Sequence, residues 1–134
     1  MRFARIAFRF AGIYGLLVLV PMYLFEDKTG RDFPPPITHP EYYYGFVGLG
    51  VAWQVLFILL SVDPIRYRLM MLPSMLEKLV FVVPVIVLFA QHRVSSFILG
   101  AALIDLCLGV LFLGAYIKTR GLNGPTCWCS LLGN

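Results

Sequence analysis

Four ionisable residues stand inside stretches that are otherwise apolar: Arg9, Glu77, Lys78 and Asp105. A charge at mid-membrane costs about 2.5–3.5 kcal/mol on insertion scales, so such groups are rare, face inward and pair. These four sum to zero formal charge, and Gln54 adds an amide in a similar setting. Such a set can act in two ways. It can fix helix register as an ion-pair network, or it can bind a lipid-soluble ligand and handle a proton. Glu77 and Lys78 are neighbours, about 100° apart on a helix, so they are expected to face different partners. The expected pairing joins Lys78 or Arg9 to Asp105 and leaves Glu77 to another partner or to a proton.

Other reactive residue types carry less. His39 and Glu41 flank Pro40, and His92 lies in a later turn. Imidazole and carboxylate suit a divalent metal, but this spacing matches no known metal motif and no metal is expected. Glu41 is read as an acid near the positive end of a helix. Cys127-Trp128-Cys129 fits neither the redox nor the zinc spacing, and Cys107 reads as a packing residue. Arg66 and Arg68 flank Tyr67, where they suit anionic lipid headgroups or act only as topology signals. Walker A, nucleophile-elbow, zincin and Rossmann patterns are all absent from the sequence, so no cofactor is expected.

The elements that position these residues follow from composition. Of 134 residues, 60% are hydrophobic and 13% charged, with mean hydropathy +0.83. A soluble domain is roughly 45–50% apolar and about 25% charged. A small soluble fold could not hide so much apolar side chain. Extended disorder, a secreted disulfide scaffold and nucleic-acid binding are excluded as the main theme. Four runs are long enough to cross a bilayer as helices, over about 6–25, 43–62, 69–89 and 94–117. They are near-continuously apolar rather than alternating, which favours helices over strands. The fold class expected is an all-α membrane protein, a four-helix transmembrane bundle over residues 1–120. Residues 121–134 are expected to form a loosely structured cytoplasmic tail.

The first run has the basic start of a secretory signal but lacks a small-x-small cleavage site before Pro21, so it is read as a retained helix. Residues 26–40, with Pro34-Pro35-Pro36, read as one long, partly polyproline-like loop. Asp63-Pro64 reads as a helix N-cap followed by proline, and Pro21, Pro73 and Pro84 as kinks or stops. Arg2, Arg5, Arg9, Arg66, Arg68, Lys118 and Arg120 fall on one side of the bundle, against Lys28, Arg31 and Arg93 on the other. This bias places both termini in the cytoplasm. Tyr23 and Tyr42-Tyr43-Tyr44 mark the outer interface, Tyr67 and Tyr116 the inner one.

Small residues at helical spacing mark the packing faces: Ala4, Ala7, Ala11 and Gly15; Gly45, Gly48 and Ala52; Ala101, Asp105 and Gly109. At about 1.5 Å per residue, Glu77 and Lys78 lie roughly 12–14 Å from the inner boundary of a core ~30 Å thick. Asp105 and Gln54 reach nearly the same level, and Arg9 approaches from about a turn below.

The strings His39-Pro40-Glu41-Tyr42-Tyr43-Tyr44-Gly45-Phe46, Ala52-Trp53-Gln54 and Asp63-Pro64-Ile65-Arg66-Tyr67-Arg68, with the four-helix plan, resemble small bacterial membrane proteins of uncharacterised function. In architecture the chain is similar to the DoxX-like group from Arg9 to about Lys118. That resemblance implies an inner-membrane protein, in a group sometimes associated with redox or thiol metabolism, and carries over no functional residue. Small multidrug transporters share the helix number but hold their essential acid in the first helix, where this chain has Arg9 and no carboxylate.

Together these features describe a non-enzymatic multi-pass protein, an accessory subunit or a binder of a hydrophobic ligand, working through the Glu77, Lys78 and Asp105 layer. The alternatives are a membrane enzyme acting on a lipid or quinone-like substrate, and a proton-coupled transporter. Expected partners are membrane lipids, with a hydrophobic ligand, a partner membrane subunit or a second copy of the chain as further candidates, and no nucleic acid.

Overall fold

The computed structural model describes residues 2–120, whose regular elements are all helices, with no strand among them. Four long helices, α1 (Arg2–Met22), α3 (Pro40–Val62), α4 (Met71–Ala90) and α5 (Ser96–Thr119), run up, down, up and down, and a short α2 (Glu26–Asp32) joins the first two. The long helices hold 21, 23, 20 and 24 residues, so each covers about 30 Å or more. Leu17, Leu49, Leu76, Val80, Phe97 and Val110 point outward. No more than 28% of the most apolar stretch of any spanning helix is buried. Lipid is the solvent that tolerates this surface. The protein is a multi-pass membrane protein.

Helix boundaries depart from the hydropathy runs for local reasons. Pro40 falls in the first turn of α3, and Pro73 in that of α4. An amide there has no intrahelical acceptor to lose, so Pro73 starts a helix instead of bending one. Pro84 alone sits in the interior of α4. Asp63 caps a turn, not a helix: its Oδ1 accepts from the Arg66 amide at 3.2 Å, and a 3-10 turn (Arg68–Met70) intervenes before α4. At the far end of α4, Arg93 N–H donates to Leu88 O and His92 N–H to Phe89 O, both at 2.9 Å, with His92 at φ 56. This is the left-handed C-terminal closure that helices commonly use. The tail from residue 121, with Cys127 and Cys129, lies outside the described residues.

The expected long loop contains α2. Glu26 and Asp27 occupy its first turn and Arg31 its last, which complements the helix dipole. Tyr44 Oη donates to Glu26 Oε2 at 2.7 Å, and Tyr43 Oη donates to Met22 O at 2.8 Å while lying 3.3 Å from Thr29 Oγ1. The interfacial tyrosines thus tie the end of α1, α2 and the start of α3 together.

The bundle consists of two antiparallel pairs, α1 with α3 and α4 with α5, joined mainly through α1 and α5; α3 and α4 meet only briefly. The α1 stripe packs as expected: Ala4, Ala7, Ala11 and Gly15 are buried, with Phe8 and Gly12. The α3 stripe packs only at Gly48, which is half-buried and where a Cβ would lie 3.1 Å from Tyr23 Oη. Gly45 faces open space, Ala52 is exposed, and the buried line is Val47, Gln54, Phe57, Leu60 and Ser61. Close approach is supplied by α1's glycines, which accept the larger side chains of α3. A Cβ on Gly12 would lie 2.8 Å from the Gln54 carbonyl oxygen and 2.7 Å from Ile58 Cγ1. Backbone cannot yield as a side-chain tip can, so Gly12→Ala is expected to destabilise by about 1–3 kcal/mol through overpacking. Gly45→Ala is expected to stabilise by up to about 1 kcal/mol, because it relieves backbone entropy without a clash. Steric-trap unfolding in bicelles measures both, and the opposite signs are the check.

Packing centres on three rings from three helices. Phe8 and Phe112 stack at 4.2 Å, and Phe57 meets Phe112 edge-on at 5.0 Å. Leu60, Met71 and Leu108 close around them. A smaller cluster of Val82, Val85 and Ala102 holds α4 to α5 further along.

Candidate functional site

Between those two apolar clusters lies a polar group carried by α4 and α5. The period of α4 puts Ser74, Lys78 and Val82 on its buried face. On α5, Asp105 and Gly109 lie one turn apart, and a Cβ on Gly109 would sit 3.5 Å from Lys78 Cβ. The absent side chain lets the lysine stem cross at ordinary contact distance. Lys78 Nζ donates to Asp105 Oδ1 at 3.0 Å and to Glu77 Oε1 at 3.5 Å, with Glu77 Oε2 at 3.2 Å. Only 5% of the Lys78 side chain is exposed, against 19% for Glu77 and 21% for Asp105. One ammonium, almost wholly enclosed, is shared by two acids whose side chains are each partly exposed.

The apolar side of this ammonium is also organised. Lys78 Nζ stands 5.2 Å from the centroid of the Phe57 ring, within the range of cation–π attraction. Phe57 is a site residue that sequence reading missed. Its signal was its place three residues after Gln54, on the same face of α3. The expectation that Glu77 and Lys78 face different partners is corrected here: the lysine stem is long enough to bring its head back to its own neighbour while bonding across to α5.

The structure brings together three of the five candidate residues. Arg9 is exposed and lies beside Arg2, Arg5 and Ile6. It sits on the side of α1 away from Ala4, Ala7 and Ala11, so it cannot reach the layer. Gln54 is buried, but its side chain lies over Gly15 of α1 and makes no hydrogen bond with the cluster. Without Arg9 the charge balance changes. Two acids share one base, and the cluster carries one formal negative charge where the full set would have been neutral. Glu77 Oε2 is buried 3.2 Å from the ammonium, in an ion pair rather than an aligned hydrogen bond, and Asp105 Oδ2 takes part in no hydrogen bond among the described residues. Buried serine and threonine hydroxyls do not compensate: Ser61, Ser74 and Thr119 donate to the nearby backbone carbonyls of Ile58, Met70 and Ala115.

The headgroup candidates diverge. Arg66 is exposed with its guanidinium 5.7 Å from the Tyr67 ring, whereas Arg68 folds back to 4.1 Å from the Tyr116 ring. His39 Nδ1 lies 3.1 Å from Glu41 Oε1, at the start of α3. Cys107 faces outward instead of packing in the core. Two hollows lie away from the polar cluster. One of about 440 Å³ is lined by α2 and the proline segment, including Glu26, Arg31 and Pro36, and one of about 250 Å³ by Arg2, Arg5, Ile6 and Arg9. Comparison of the chain with protein-family models, curated proteins and solved structures finds no match in any of the three.

Proposed function

We propose that the chain is a non-enzymatic inner-membrane protein that binds a hydrophobic ligand through Glu77, Lys78 and Asp105, the ligand presenting a hydrogen-bond-donating head within the bilayer. The observation that carries this reading is the surplus of acceptors: two partly exposed acidic side chains around one enclosed ammonium. Asp105 Oδ2 accepts no hydrogen bond among the described residues, and a hydroxyl-bearing lipid or quinol-like head would supply a donor to it. The surplus acid also favours proton exchange coupled to binding. The lysine and arginine bias supports a cytoplasmic start of α1 and end of α5.

Native mass spectrometry of the protein extracted with its own lipids tests the proposal. The wild type is expected to retain a small hydrophobic molecule that the Glu77→Gln, Asp105→Asn double variant loses. Retention of the same molecule by that variant, or a bare wild-type chain, would contradict it.

A further inference from the structure

We propose that Arg2, Arg5 and Arg9 form a binding site on α1 for the phosphate head of an anionic phospholipid. Positions two, five and nine fall within one face of a helix of about 3.6 residues per turn. With Ile6 they line the hollow of about 250 Å³. All three arginines are exposed, and none takes part in an ion pair or a side-chain hydrogen bond among the described residues. The acids that could have served them are engaged elsewhere: Asp63 caps its own turn, while Glu77 and Asp105 hold Lys78. Three like charges at three- and four-residue spacing repel one another on a helix face, and the first turn of α1 contains no acid. An anion placed among them removes that repulsion and is held by guanidinium forks, which match phosphate geometry.

The surroundings select a lipid over a soluble anion. Arg9 lies about 10 Å along the axis from Arg2, toward the hydrocarbon. Ile6, Phe10 and Ile13 are exposed along the same stretch of helix. Arginine stems lie along such apolar surface while their heads reach the phosphate level. The hollow is smaller than the roughly 300–1,000 Å³ typical of sites that enclose a whole small molecule. It suits a head group whose acyl chains remain outside against α1. Basic pockets at the ends of transmembrane helices are a general mode of anionic-lipid recognition.

A topology signal needs only positive charge, whereas a phosphate fork needs arginine, so lysine substitution separates the two. The full chain is reconstituted in bilayers of equimolar phosphatidylglycerol and phosphatidylcholine, and lipid retention is read by native mass spectrometry. The wild type is expected to keep one phosphatidylglycerol with a preference of about tenfold or more over phosphatidylcholine, and R5K/R9K to lose most of that preference. R66K/R68K, altered elsewhere at the same end of the bundle, is expected to keep it. R9K alone serves as a milder variant, with helical content by circular dichroism as the folding control. Equal retention of the two lipids by the wild type, or an unchanged preference in R5K/R9K, would overturn the site. Complete displacement of the lipid by millimolar inorganic phosphate would assign the hollow to a soluble anion and overturn the lipid assignment.

Discussion

Lys78→Met is expected to destabilise the folded bundle by about 3 kcal/mol, toward the lower end of the range for removing one partner of a buried ion pair. Methionine nearly matches the lysine stem in shape, so the aromatic core beneath it keeps its packing. What changes is charge. Glu77 and Asp105, 3.2 and 3.0 Å from the ammonium in the wild type, are left facing each other with no cation. Proton uptake by one carboxylate relieves part of the repulsion, which keeps the cost from reaching the top of the range. Lys78→Arg is expected to recover less than the full stability, because a planar fork replaces a compact head in an enclosed space beside Phe57. Unfolding free energies measured by steric trapping in bicelles check both variants. A Lys78→Met variant as stable as the wild type would show that the ammonium is not paired in the membrane.

Phe112→Ala is expected to cost about 2–3 kcal/mol, less than the same change in a soluble core. In water the loss would combine a transfer term with a cavity term. In a bilayer the separated helix leaves its phenylalanine in hydrocarbon, so the transfer term nearly vanishes. The cavity remains. Removing the phenyl ring opens roughly 100 Å³, which at about 24 cal/mol per Å³ gives the stated cost. Phe112 stacks on Phe8 of α1 and meets Phe57 of α3 edge-on, so its loss loosens α5 from both helices at once. Phe97→Ala provides the comparison: that ring is exposed on the same helix, and its truncation leaves no cavity in the core. Equal effects of the two changes in steric-trap unfolding would refute the packing described for the three rings.

The four spanning helices were legible in the sequence because hydropathy over about 20 residues reports the solvent directly. Their ends were less so. Hydropathy does not register Pro40 or Pro73 as helix starts, and the short α2, Glu26–Asp32, has no apolar period to announce it. Its order comes from Tyr43 and Tyr44, which reach it from α3. The α1 packing face was readable from alanine spacing, but of the α3 glycines Gly48 alone marked a contact, with Tyr23. A glycine permits close approach without requiring it, and Gly45 has nothing opposite. Depth arithmetic brought Lys78 and Asp105 to one level, where the structure pairs them. The same arithmetic included Arg9 and Gln54, because depth ignores azimuth. Angular position relative to Ala4, Ala7 and Ala11 would have turned Arg9 outward, and that information was in the sequence. The contact of Gln54 with Gly15 was not, since it depends on which helices become neighbours.

Pairing between Lys78 and Asp105 is the claim on which the account of the bundle and its site depends. A double-mutant cycle with Lys78→Met, Asp105→Asn and both together, read as unfolding free energy in bicelles, measures it without assumptions about ligand. A coupling of about 1–2 kcal/mol is expected, with the double variant losing less than the sum of the singles. Losses that add within about 0.5 kcal/mol would mean that the two residues do not meet in the membrane.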